Sequence, residues 1–159
     1  MNHSFSSQIV TTFLLAAGLL SAAHADSNSV SVPPLPKYTQ ECTACHMAYP
    51  PGMLPSASWQ RIMGNLGKHY GTDASLDAAS MQEITAWLQT HAGTHKRVSE
   101  APPQDRITKS PWFLKEHGAR EIPAEVWKRP AVGSASNCAA CHTNASKGSF
   151  DEHEIKIPR

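Results

Sequence analysis

Apolar residues fall in one unbroken block near the start of the chain and in short helical stripes after it. The block, Ile9 to Ala23, is too short to span a bilayer comfortably and ends in Ala23-His24-Ala25, a small-x-small cleavage pattern. Residues 1–25 therefore read as a secretory signal peptide; the n-region has no Lys or Arg, so an uncleaved membrane anchor is the alternative. Residues 26–37 are polar and then proline-rich, an extended leader without a core face. Between Ser58 and Tyr70, the residues Trp59, Ile62, Leu66 and His69 recur at the spacing of one helix face, and Gly71 supplies a stop. Asp77 to His91 predicts a second amphipathic helix with Met81, Ile84, Leu88 and His91 on one face and Trp87 beside it. Ala92 to Arg106 loses the periodicity and gains Gly and Pro, which puts a linker at 99–106 between units at 38–98 and 107–159. A short helix begins at Ser110-Pro111, a cap followed by proline at the first helical position, and runs through Phe113 and His117 to Gly118. Pro123 opens a further turn through Val126 and Trp127.

The cysteines change this picture from generic helices to a defined chemistry. All four fall in two copies of Cys-x-x-Cys-His: Cys42, Cys45 and His46, then Cys138, Cys141 and His142. Covalent haem attachment needs two thiols to add to the two vinyl groups and an imidazole on the next residue to reach the iron. On a helical turn the three residues share a face, and the pattern is the c-type haem signature. A zinc site would want a shorter insert between the pairs and gives no reason for a His after each. A thioredoxin-like pair would sit in a βαβ context that is missing here, and two disulfides would make the repeated His a coincidence. The expectation is two covalently bound haem c groups in a mainly α chain: two small cytochrome c-like helical domains, each wrapped around one haem, with little or no sheet.

Each iron then needs a sixth ligand. His69 lies on the apolar stripe that follows the first motif and is the candidate for the first iron; Met53, Met81, His91 and His95 are its rivals. For the second iron the candidate is His117, upstream of its motif and four residues beyond Phe113 on one face, with His153 in the charged tail as rival. Motif precedes candidate ligand in the first half and follows it in the second, so simple tandem duplication is not supported.

Charge adds little: 14 Lys and Arg against 13 Asp and Glu give no reason to expect nucleic acid as a partner. Four haem propionates would make the loaded protein more acidic than its composition.

The run Glu41-Cys42-Thr43-Ala44-Cys45-His46-Met47-Ala48-Tyr49-Pro50-Pro51-Gly52-Met53-Leu54-Pro55 carries a resemblance, and so do Ser58-Trp59, His69-Tyr70-Gly71, Arg106-Ile107-Thr108, Pro111-Trp112-Phe113 and Cys138-Ala139-Ala140-Cys141-His142. Together they resemble the bacterial dihaem cytochrome c family, across nearly the whole chain beyond the signal peptide. The resemblance implies a periplasmic electron carrier with two low-spin, bis-histidine haems in two small domains. It further implies a small monohaem cytochrome, sphaeroides haem protein (SHP), and a membrane b-type cytochrome as redox partners. Carried over by residue, His46 and His142 are proximal ligands, with His69 and His117 as the distal choices. The competing classes are a peroxidase-like haem enzyme with one open iron site and the dihaem electron-transfer subunit of a periplasmic reductase.

Overall fold

Proline and side-chain caps decide where the helices of this chain begin. The computed structural model describes residues 32–159, so the expectations for residues 1–31 lie outside the described residues. Helix α1 spans Pro36–Cys42 and starts inside the segment read as leader, because Pro36 at its N-terminus needs no N–H there. It buries Tyr38, whose hydroxyl donates to the Tyr49 carbonyl at 2.8 Å.

Helix α2, Ser56–Met63, ends at Gly64, and a separate 3-10 turn covers Leu66–Lys68. The predicted single helix through Tyr70 is thus broken in two. Gly64 and Gly67 are poor helix formers, and the Leu66 carbonyl instead accepts from both His69 N (3.2 Å) and Ala74 N (2.9 Å), wrapping the chain around it. Helix α3, Ala78–Thr90, follows prediction closely: Asp77 caps it by accepting from the backbone of Ala79 and Ser80. Helices α2 and α3 pack together, and the core they build comprises Tyr38, Leu54, Trp59, Met63, Ile84 and Leu88. Gly93 donates to the Leu54 carbonyl at 2.8 Å. A Cβ there would sit 2.2 Å from Val98 Cγ2 and 2.5 Å from the Gly52 carbonyl, so only glycine allows that approach.

Helix α4, Pro111–Glu116, is capped by Ser110, whose oxygen accepts from Phe113 N. Beyond it the chain proceeds by 3-10 turns at Val126–Lys128, Cys138–Ala140, Ala145–Lys147 and Glu152–Glu154. Its buried apolar residues are few and dispersed: Phe113, Val126, Val132 and Ala145. Among the described residues there are two isolated β-bridges, His69 with Thr72 and His142 with Ile155, and no sheet. No helix among them is long and apolar enough to cross a membrane.

Candidate haem sites

The first motif does not continue α1. Cys42 is the last residue of that helix, and Cys45 and His46 lie on the turn and bend after it. The second motif occupies a 3-10 turn, in which Cys141 N and His142 N both donate to the Cys138 carbonyl at 3.2 and 2.8 Å. The expected helical turns are therefore tighter turns, which still gather the motif residues locally.

Across from each motif histidine stands another imidazole. The His46 and His69 ring centres are 6.1 Å apart, and so are those of His117 and His142. Two imidazoles bonded to one ion from opposite sides, each with about 2 Å from nitrogen to metal and its ring centre roughly 1 Å further out, would stand about 6 Å apart. Both pairs fit an iron between them.

The surroundings of the first pair are those of a large apolar group. A cavity of about 550 Å³ is lined by Cys42, Cys45, His46 and His69 together with Trp59, Ile62 and Leu66. The predicted stripe therefore reaches the cavity although its helix is broken. Met53, Met81, His91 and His95 do not line it. His91 caps α3 with its Nδ1 on the Trp87 carbonyl at 2.8 Å, Met81 is exposed, and His95 is exposed before a 3-10 turn. His153 is likewise exposed, paired with Asp151 at 2.9 Å.

Protonation favours ligation too. Desolvation pushes the pKa of His69 down, aided by His46 and Arg106; desolvation also lowers those of His117 and His142. All three are held in the neutral form that binds iron. Burial raises the thiols of Cys138 and Cys141 and carries Cys42 to about 11, disfavouring thiolate and suiting a neutral thioether.

The ring nitrogens are held differently at the two sites. His46 Nδ1 is 2.7 Å from the Met47 carbonyl and His117 Nδ1 is 3.1 Å from that of Phe113; with the proton on Nδ1, each would leave its Nε2 free to bind iron. His117 also stacks on Phe113, centres 4.1 Å apart and planes 7° apart. His142 Nδ1 is buried without a partner among the described residues.

Three features had no local signal in the sequence. Tyr49 stacks on His46 at 5.0 Å and donates its hydroxyl to the Ser136 carbonyl at 2.7 Å, tying the two motifs together across the chain. The tail closes over the second motif through Lys156 N on the Cys141 carbonyl at 2.9 Å and Arg129 on that of Pro158 at 2.6 Å. Tyr70, next to His69, meets residues 104–106, far from it in the chain.

Two cysteine–histidine attachment motifs, each facing a second imidazole in a helical fold without sheet, define a dihaem c-type protein. A model of the dihaem cytochrome c (DHC) family matches residues 38–150. The chain belongs to that family and carries two covalently bound haem c groups. It is 42% identical to DHC purified from Rhodobacter sphaeroides, whose crystal structure it matches with a TM-score of 0.66 over 76% of this chain and 100% of that one. It is 41% identical to the dihaem cytochrome sb-DHC of Shewanella baltica OS155, with a TM-score of 0.69 over 80% and 95% of the two chains. No curated protein matches it.

Proposed function

We propose that the protein is an exported, periplasmic electron carrier in which both irons are bis-histidine ligated, by His46 with His69 and by His142 with His117. The observation that carries this is the facing of two imidazoles at 6.1 Å in each half of the molecule. Each haem, when bound, supplies a reversible one-electron change at iron. Cys42, Cys45, Cys138 and Cys141 would hold it covalently, and the four histidines would ligate the two irons in pairs. With no position left for a substrate, the protein's residues have only to fix the ligands, limit water and hold the two sites close. Closeness is supported by Cys138, which lines the first cavity together with Cys42 and Cys45.

Two imidazoles give a lower potential than imidazole with methionine, which places this carrier on the reducing side of small His/Met cytochromes. A membrane b-type or quinol-linked donor and a soluble acceptor of the SHP type fit that position. Export fits the apolar run and cleavage pattern at residues 9–25 and the need to attach haem through thiols outside the cytoplasm.

Low-temperature EPR with near-infrared spectra of the ferric holoprotein tests the ligation. Two low-spin bis-imidazole signals are expected, with His69→Ala and His117→Ala each removing one. A methionine-to-iron band or a high-spin signal in the unaltered protein would overturn the reading at that iron, and high spin would restore the enzyme alternative.

A further inference from the structure

We infer that Tyr70 and the corner at residues 104–106 form a clamp that holds His69 in ligating position, with Tyr70, Asp105 and Arg61 as positioning residues for the first haem. The inference rests on His69 being that distal ligand.

Three non-glycine residues among those described have positive φ: Tyr70 at 51°, Gln104 at 59° and Asp105 at 54°. Asp tolerates that region, but Tyr and Gln avoid it, and such strain persists only where surrounding contacts over-determine it. Here the strained residues, far apart in the chain, contact one another. The Tyr70 hydroxyl lies 3.1 Å from the carbonyls of both Gln104 and Asp105, a shared donor to two acceptors. The Arg106 guanidinium lies over the Tyr70 ring at 4.2 Å. Arg61, on α2, grips the Asp105 carboxylate with both arms, Nε to Oδ2 at 2.9 Å and Nη2 to Oδ1 at 2.6 Å. The corner is thereby fastened to the helix whose Trp59 and Ile62 line the haem cavity.

His69 needs such a device because its backbone is held only by one bond to the Leu66 carbonyl and a bridge to Thr72. It follows a single 3-10 turn with φ −67° and ψ 88°, outside any helix. Its ring packs against that of Tyr70 at 4.9 Å. On the outer side, a second cavity of about 550 Å³ is bordered by Arg61, Lys68, His69, Tyr70 and Asp105. His69 borders both cavities, as Ile62, Tyr70 and Asp105 do, so the second offers a space into which its imidazole could swing away from the first. The clamp sets the balance between the ligating and swung positions.

A ligand for iron reads that balance, because its apparent affinity scales with the fraction of protein whose site is open. Carbon monoxide binding to the fully reduced holoprotein, with low-temperature EPR of the oxidised form, should be compared across the wild type, Tyr70→Phe, Arg61→Gln and His69→Ala. Tyr70→Phe keeps the ring and removes one donor, so first-site affinity should rise about five- to tenfold. Arg61→Gln, at an exposed pair, should raise it about two- to fivefold. The second-site signal should not move. If His69→Ala opens the first site while both other variants bind like the wild type, the clamp is refuted and the ligation stands. If His69→Ala leaves the first-site spectrum unchanged, the ligation reading falls and takes the clamp with it. Should Tyr70→Phe load haem poorly, Arg61→Gln, a surface change, decides alone.

Discussion

The two haem sites pose one problem, two imidazoles across one iron, and solve it with opposite resources. The first stands on a core of its own: α2 packed on α3 over Tyr38, Leu54, Trp59, Met63, Ile84 and Leu88. His46 is tethered to a carbonyl, while His69, its proposed partner across the iron, sits beside Tyr70 with its positive φ. In the second site the proposed distal ligand, His117, is the secure one, tethered and stacked on Phe113 at the end of α4. Its motif rests on a single 3-10 turn closed by the C-terminal tail, and the Nδ1 of its His142 has no partner among the described residues. Where a chain can assemble a helical core, that core supports the cofactor; where it cannot, the cofactor has to serve as the core.

Haem attachment is the hardest test of that contrast. Cys45→Ala and Cys141→Ala should both cut the yield of haem-loaded protein, and hydrogen exchange on what accumulates should separate them. Cys141→Ala is expected to lose protection throughout residues 107–159 and keep it in α2 and α3. Cys45→Ala should retain part of the α2–α3 protection, since that packing exists apart from the motif. Equal residual protection in the two halves would show that the first core is no more independent than the second.

A change inside the first core is next in size. Leu88 is fully buried, and Leu88→Ala should cost about 2–5 kcal/mol. Guanidinium unfolding followed at each haem should show the first-site signal moving to lower denaturant. A larger shift at the second site would mean that the core supports the whole molecule rather than its own half.

Between the halves, Tyr49→Phe removes only the hydroxyl that reaches Ser136 and preserves the stack on His46. The loss should be about 0.5–1.5 kcal/mol, because one hydrogen bond goes and the exposed carbonyl can turn to water. Internal electron exchange after flash reduction should slow, since this bond fixes how the two motifs lie against each other. An unchanged exchange rate would confine Tyr49 to packing.

How much of this was legible in the sequence follows the range of the interactions. Both attachment motifs, the capped helices α3 and α4, and the stripe of Trp59, Ile62, Leu66 and His69 are local patterns, and local patterns survive into the fold even where Gly64 breaks the helix. The imidazole facings could be anticipated because each candidate lies on an apolar face near a motif. Tyr49 on Ser136, Tyr70 on residues 104–105 and Lys156 on Cys141 could not, because each joins positions whose proximity only the finished fold decides. Positive φ at Tyr70 and Gln104 left no trace for the same reason: neither residue type calls for it, and Asp105, of a type that tolerates it, gives no signal on its own.

The smallest effect asks whether the two ligand pairs differ electronically as they do in geometry. The imidazole planes are 30° apart at the first site and 60° at the second. Each imidazole raises the iron d orbital that overlaps its filled π orbital. Rings nearer to parallel raise the same one, separate the pair and give a rhombic signal. Rings nearer to perpendicular raise each member alike, leave the two close in energy and preserve orbital angular momentum, so the largest g value moves further from that of the free electron. The signal with the larger g maximum should therefore vanish in His117→Ala and the more rhombic one in His69→Ala. The reverse assignment would mean that haem loading reorients the rings. Two matching signals would mean that the sites differ in how they are supported but not in what their irons experience.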